Sequence, residues 1–428
     1  MRPTHLTGVF YFCLRWIGLA AVIGVCAGVA SACFLISLDF ATALRLSHPW
    51  LIYGLPLGGF VAGFLYHRFG REVEAGNNLI IDQFHEPTAT IPWRMAPLVL
   101  IGTLITHLCG GSAGREGTAV QMGASLADQW AKVFQFAREG RAVLLMAGMS
   151  AGFGSVFGVP FAGMIFGLEV LAVGRLQASA LIQCAVAACV AHYTTLSLGI
   201  QHTVYQAPPL PGWDWLALMS IAASGLVFGC AARLFGGLSE QISHYSKAWL
   251  PSLPQRAAFG GLLLLLLYLA LPELGRYGGL GVPVISESLR LPVHAYDWFG
   301  KLVMTALTLG FGFKGGEVTP LLFIGATLGN ALSTFLPVPL ELLSALGLVA
   351  VFAGAANTPI TCTIMAMELF GSSILPYAAI ACFASFLASS HHGIYPAQRV
   401  PYAKRVYISR TFMVLRGLPR RLRRFAKH

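Results

Sequence analysis

The stretch 157-FGVPFAGMIFGLEV-170 has an echo later in the chain, 356-ANTPITCTIMAMEL-369, which lays Pro160 on Pro359 and Glu169 on Glu368 at one offset of 199 residues. A second pair precedes it in each half. There 114-GREGTAVQMGAS-125 meets 315-GGEVTPLLFIGAT-327, putting Glu116 on Glu317 and Thr118 on Thr319 at an offset of 201. Two motifs that recur in the same order at nearly one spacing imply an internal duplication. The expected organisation is an N-terminal transmembrane repeat over 1–206, a second over 207–396 beginning at the Pro-rich 207-APPLPGW-213, and a basic tail over 397–428.

Composition fixes the class around these repeats. The chain has 428 residues, 56% hydrophobic and only 11% charged, with mean hydropathy +0.70, and bilayer-length apolar runs recur from Trp16 almost to Ser390. This is the pattern of an all-α polytopic membrane protein. Strand-like alternation at barrel length is missing, and the 48 glycines suit close helix–helix approach. Several apolar segments are short or carry Gly and Pro, as in 54-GLPLGGFVAGFLY-66, 93-WRMAPLVLIGTLITHLCGG-111 and 318-VTPLLFIGATLGNALSTFLPVP-339. They are expected to be broken helices, whose orphan backbone groups are tolerated only against protein or an aqueous cavity. Inverted repeats whose broken and tilted helices meet near the midplane are a common transporter arrangement.

The net charge of +11 gathers outside the spans, in 67-HRFGREVE-74, 132-KVFQFAREGR-141 and the tail. Such loops are expected on the cytoplasmic side, with the tail on anionic lipid. Without a separate soluble domain to carry it, this basicity does not read as nucleic-acid binding. The nine cysteines form no CxxC pair and no metal-ligand spacing with histidine, so they read as small buried hydrophobes, and neither metal nor cofactor is implied. Near the N-terminus, 30-ASA-32 before Cys33 mimics a processing site, but hydrophobicity continues through 34-FLISL-38, so an uncleaved first helix is expected.

Glu116 is the residue that composition makes expensive. The glycines of 114-GREG-117 let backbone N–H groups converge, and a helix beginning near Thr118 would aim its positive end at the same point, giving an anion site that needs no lysine. A neighbouring carboxylate can fill that site when ionised and vacate it when protonated, which couples anion movement to proton movement. The bland alternative is a structural pair with Arg115, yet an intramembrane acid is functional by default.

These motifs resemble the CLC family of anion transporters. GREGT at 114–118 stands where the family usually has GREGP, 155-SVFGVPFAGMIFGLE-169 follows GxFxxPxxGxxFxxE with Ser155 for the first glycine, and 315-GGEVTP-320 takes the place of a GIFAP-type run. The resemblance covers roughly Gly18 to Pro396 and implies a CLC-type fold and a homodimer. The family's GSGIP loop has 76-GNNLII-81 as its counterpart, with Asn77 at the serine position, and Val170 stands where chloride/proton exchangers carry a second proton-relay glutamate. Together with GREGT and GGEVTP these departures resemble the fluoride/proton antiporter branch. What is implied is export of fluoride against inward proton flow across a bacterial cytoplasmic membrane, with the C-terminus cytoplasmic.

Carried over residue by residue, Glu116 becomes the gating and proton-coupling glutamate. The implied anion-binding set is Asn77, Gly114, Arg115, Gly117, Thr118, Glu317, Val318, Thr319 and Tyr395. Fluoride is small and strongly hydrated, so amides, hydroxyls and backbone N–H groups are the donors that could replace its water. Each has a structural alternative: a Glu317–Lys314 pair, a turn for Asn77, a helix-start cap for Thr319 and an interface belt for Tyr395. Glu169 and Glu368 read as helix-end or packing groups, and His391 and His392 as polar residues at a helix end. A passive anion channel and a chloride/proton exchanger are the alternatives on the same fold. An intramembrane serine hydrolase is the alternative of another class, because 110-GGSAG-114 and 148-GMSAG-152 both fit GxSxG, though in runs of small residues where that pattern arises easily.

Overall fold

The computed structural model describes residues 3–389, 391, 393–401 and 404, with side chains from Leu14 onward. Its α-helices fall into two sets of eight. The first is α1 (Pro3–Ser47), α2 (Leu55–Phe69), α3 (Asn77–His85), α4 (Met95–Leu108), α5 (Glu116–Val133), α6 (Arg138–Phe157), α7 (Pro160–Glu169) and α8 (Leu181–Ser197). The second is α9 (Trp215–Trp249), α10 (Leu253–Ala270), α11 (Val282–Ser288), α12 (Asp297–Gly310), α13 (Val318–Leu332), α14 (Leu340–Ala356), α15 (Pro359–Phe370) and α16 (Leu375–Ala388). Among the described residues six helical stretches are long and apolar enough to cross a bilayer, Leu14–Ser47 and Trp215–Trp249 among them. Between the sets, residues 198–214 carry no helix.

The sets repeat one another in detail. The helices α1 and α9 pack on α8 and α16, and both α5/α6 and α13/α14 form close pairs. In those pairs small residues meet at matching points: a Cβ on Gly123 would strike the Gly148 carbonyl, and one on Gly325 the Gly347 carbonyl. Backbone approach this close is how helices associate where lipid offers no hydrophobic drive. The helix α6 ends at Gly158 (φ 77°) and α14 at Asn357 (φ 59°), both left-handed, and a proline then opens α7 and α15 where its missing N–H costs nothing.

The halves run in opposite senses. Along the α2/α10 contact Gly59 faces Ala257 and Gly63 faces Pro254, while Gly261 lies back against Leu55, so equivalent helices are antiparallel. At the α7/α15 contact the Glu169 carboxylate ends α7 and accepts from the Ile360 N–H (3.0 Å), the Thr361 N–H (2.7 Å) and the Thr361 hydroxyl (2.7 Å) at the start of α15. Glu368 returns the favour, accepting from the N–H groups of Phe161 (3.0 Å) and Ala162 (2.7 Å) at the start of α7. The sequence reading of both glutamates as helix-end groups describes these contacts.

One end of the bundle gathers the basic loops. Arg141 pairs with Asp128 (2.6 Å), Arg138 donates to the His85 carbonyl (2.6 Å), Arg399 pairs with Glu86 (2.5 Å), Arg94 pairs with Glu72, and Arg15 lies over Phe136. The basic stretch 132-KVFQFAREGR-141 around the α5–α6 loop belongs to this end, while its counterpart loop 333-STFLPV-338 has no charge. Of the tail 397–428 only 397–401 and 404 are described, so the reading of its remainder lies outside the described residues.

Two expectations need correction. The Gly- and Pro-bearing segments at 54–66 and 93–111 are not broken: they form α2 and α4, with Pro56 and Pro97 in the first turn, where no intrahelical donor is lost. The segments at 93–111 and 318–339 are short, as expected, giving α4 and α13 of 14 and 15 residues, and α3, α7, α11 and α15 are shorter still. Nor are all the cysteines buried: Cys33 and Cys230 are exposed, while Cys109, Cys184, Cys362 and Cys382 lie inside.

Candidate anion and proton site

Where the halves meet, the N-termini of α5 and α13 face each other across two reciprocal backbone bonds, Gly114 N–H to the Gly316 carbonyl (2.6 Å) and Gly316 N–H to the Gly114 carbonyl (2.8 Å). Glycine is required here, since a Cβ on Gly114 would come within 2.9 Å of the Gly316 oxygen and 3.0 Å of the Thr319 nitrogen. The helix α5 starts at Glu116, two residues earlier than expected. Its flanking residue is Arg115, and that of α13 is Glu317. The structural register is therefore 202 rather than 201: Glu317 is equivalent to Arg115, and Val318 to Glu116. Matching one glutamate letter to another shifted the sequence alignment by one.

Glu116 is buried, with 1% of its surface exposed, and its carboxylate crosses to the other half. It accepts from the Thr319 N–H (3.0 Å) in the first turn of α13, and the Thr319 hydroxyl lies 2.7 and 2.6 Å from its two oxygens, able to donate to one at a time. The Arg115 N–H adds a contact at 3.2 Å, and the Arg115 Nε stands 3.6 Å away. The Glu116 carboxylate is thus seated at the positive end of α13, an arrangement able to hold an anion. The converging amides of 114–117 that the sequence reading invoked contribute only Arg115.

Cavities lie on either side of this seat. The one toward the basic end holds about 160 Å³ and is lined by Gly76, Asn77, Gln121, Lys314, Glu317 and Tyr395, among others. Glu317 also lines a wider vestibule of about 630 Å³ that reaches His244 and Lys247. The opposite one holds only about 30 Å³, the room of one water, between Arg115, Glu116, Thr203, Tyr205, Thr319 and apolar walls that include Val282 and Ile285. The helix-opening glycines match across the halves: Gly76 (φ 59°) precedes Asn77 at the inner cavity, and Gly281 (φ 78°) precedes Val282 at the outer one. Equivalent helix starts therefore present an amide to one cavity and an isopropyl group to the other.

The structure brings Asn77, Glu317 and Tyr395 to the inner cavity, and Arg115, Glu116 and Thr319 to the outer one. Asn77 is 8% exposed and its Oδ1 has no partner among the described residues. Tyr395 is 3% exposed, unlike an interface-belt tyrosine, and its segment is fixed by Ile394 N–H to the Ala355 carbonyl (2.8 Å) and Ala397 N–H to Asn78 Oδ1 (3.1 Å). Gly117 packs between Asn77 and Gly316. Val318 is 1% exposed in the first turn of α13. Thr118 stands apart: its hydroxyl bonds that of Thr103 at 2.8 Å, and it lines none of these three cavities. Glu317 and Lys314 form no ion pair within 4 Å among the described residues. Lys314 reaches the Glu74 carbonyl (3.5 Å) and the Tyr66 ring (4.1 Å) instead.

The serines of the two GxSxG matches have no imidazole partner among the described residues. Ser112 bonds Thr305 at 2.8 Å, and Ser150 donates to the Met164 carbonyl at 3.3 Å. His391 accepts from the Lys404 N–H (2.8 Å), and His392 lies outside the described residues. Sequence reasoning missed Tyr205, which carries no motif; its position eight residues past α8 mirrors that of Tyr395, seven past α16. It also passed over Lys314 as anything but a partner for Glu317.

Residues 58–390 match the family model described as voltage gated chloride channel. A chloride/fluoride channel protein of Pseudomonas syringae pv. tomato is 51% identical over 411 residues, covering 94% of this chain and 90% of that relative. The crystal structure of a CLC-type fluoride/proton antiporter superposes with a TM-score of 0.87 at 38% identity, over 91% of this chain and 99% of the other. A slow cyanobacterial chloride/proton antiporter shares the fold at 20% identity and a TM-score of 0.76, over 93% and 98% of the two chains.

Proposed function

The chain belongs to the voltage gated chloride channel family, and we propose that it is a fluoride/proton antiporter that exports fluoride from the cytoplasm. The observation that carries the reading is the Glu116 carboxylate seated on the Thr319 N–H and hydroxyl at the start of α13, with a cavity on each side. Ionised, the carboxylate fills the anion seat and closes the way between the cavities. Protonated, it loses most of its attraction for the helix end and leaves, and fluoride takes the same donors. One seat thus serves anion and proton in turn, and the exchange follows from their exclusion of each other.

Asn77 and Tyr395 act as fluoride donors on the inner side, with Arg115 at the outer mouth and Glu317 as a proton group of the inner cavity. Val170 offers no carboxylate beyond Glu169, whose own carboxylate is committed to α15. Proton traffic therefore runs through Glu116 and Glu317. The basic end faces the cytoplasm by the positive-inside rule, which orients the pore in the cytoplasmic membrane of a bacterium. The working form is a homodimer with one pore per subunit.

Reconstituted protein is expected to move fluoride much faster than chloride and to take up protons when an outward fluoride gradient is imposed, read by a fluoride electrode and a pH dye on one preparation. Fluoride flux without proton movement would mean a passive channel. Equal chloride and fluoride rates would mean a chloride-handling exchanger. Cross-linking in membranes that yields monomer alone would remove the dimer.

A further inference from the structure

We propose that Lys314 is the cation of an inner anion-recruiting station, where its ammonium, the Asn77 amide and the Tyr395 hydroxyl hold fluoride before it reaches Glu116; this rests on the transport reading above. The three groups line one cavity of about 160 Å³, room for about five waters. An anion that has shed part of its shell there enters a space lined by all three.

The charge of Lys314 is not spent on a carboxylate. Among the described residues no carboxylate oxygen lies within 4 Å of its Nζ, whose contacts are the Glu74 carbonyl at 3.5 Å and the face of Tyr66 at 4.1 Å. The Glu74 carboxylate turns instead to Arg256, at 3.5 Å. An ammonium held at membrane depth without an ion pair calls for another counter-charge, and a transported anion supplies one.

The site is also built sterically. The Lys314 stem runs past Gly102 of α4, where an added Cβ would come within 2.9 Å of its Cβ and 3.1 Å of its Cγ. The glycine leaves the channel along which the lysine reaches the cavity. The counterpart of Lys314 in the first half is Ser112, at the register of 202, and its hydroxyl is tied to Thr305. The outer side has no lysine at the equivalent position, and its cation is Arg115.

The test is exchange in proteoliposomes as a function of internal fluoride, with Lys314→Gln, Lys314→Arg and Gly102→Ala beside the wild type. Losing one charge-assisted contact raises the half-saturating fluoride about tenfold in Lys314→Gln. Its saturating rate and protons per fluoride stay within about twofold, and Lys314→Arg restores near-normal half-saturation. Gly102→Ala raises half-saturation in the same direction, which keeps the test alive if Lys314→Gln does not fold. Unchanged half-saturation in Lys314→Gln or Gly102→Ala, or a loss of proton coupling in Lys314→Gln, overturns the proposal. Failure of wild-type fluoride to drive protons would instead overturn the transport reading.

Discussion

At the α7/α15 contact each half lends the other a glutamate, whereas at the α5/α13 contact only one half does. Glu169 covers the start of α15 and Glu368 covers the start of α7, each accepting from two successive N–H groups, and Glu169 adds the Thr361 hydroxyl. At α5/α13 the backbone exchange between Gly114 and Gly316 is just as even, but the side chains are not. Glu116 occupies the end of α13. The equivalent position opposite is Val318, and the nearest acid, Glu317, opens onto the inner cavities instead. The lesson is that the even α7/α15 contact ties both helix starts, whereas at α5/α13 a side-chain carboxylate covers one helix start alone, the asymmetry on which the proposed exchange rests.

The largest effect that could break this comparison belongs to Glu116. Glu116→Gln keeps the shape and loses the titration, so fluoride-driven proton uptake should fall at least about 100-fold while the protein still folds. At the even contact the outcome should be reversed. Glu169→Ala and Glu368→Ala strip helix-start N–H groups of their acceptor, so each should cost about 1–3 kcal/mol of stability, with Glu169 the costlier because it also serves the buried Thr361 hydroxyl. Thermal unfolding in detergent reads this. The two glutamates sit at opposite ends of helices about 15 Å long, so the losses should add within about 0.5 kcal/mol. Protons per fluoride should not change, and a change in that ratio would make the even contact part of the pathway.

The sequence carried the duplication, the helix-end glutamates and the place of Glu116 beside a helix start, because each rests on a spacing that survives without coordinates. It misplaced what depends on the meeting of the halves. The letter match of Glu116 to Glu317 hid the true pairing of Arg115 with Glu317, which only the backbone exchange at Gly114 and Gly316 discloses. Thr118 looked like a pore hydroxyl, but the rotation of α5 turns it toward Thr103. Pro56 and Pro97 looked like breaks because a proline's cost depends on its place in a helix, and both stand in a first turn. Tyr205 had no local signal, since it reaches the outer cavity from a segment without helix.

Smaller effects sharpen the contrast between the inner and outer cavities. Asn77→Ser trades an amide for a shorter hydroxyl, so the fluoride-to-chloride rate ratio should fall several-fold, by about one hydrogen bond to an ion. An unchanged ratio would leave Asn77 with no task beyond opening α3. Smallest is Thr118→Val, which keeps the volume and removes the bond to Thr103. It should cost about 1 kcal/mol of stability and leave the fluoride-to-chloride ratio untouched. A shift in that ratio would return Thr118 to the pore.

The central claim is that the end of α13 is one seat used by carboxylate and anion in turn. Simultaneous fluoride and proton recordings on wild type and Glu116→Gln, from one batch of proteoliposomes under an outward fluoride gradient, test it most directly. Wild type should export fluoride and import protons in a fixed ratio, and Glu116→Gln should import none. Proton uptake against a gradient by Glu116→Gln at the wild-type rate would contradict the claim and move the proton carrier to Glu317.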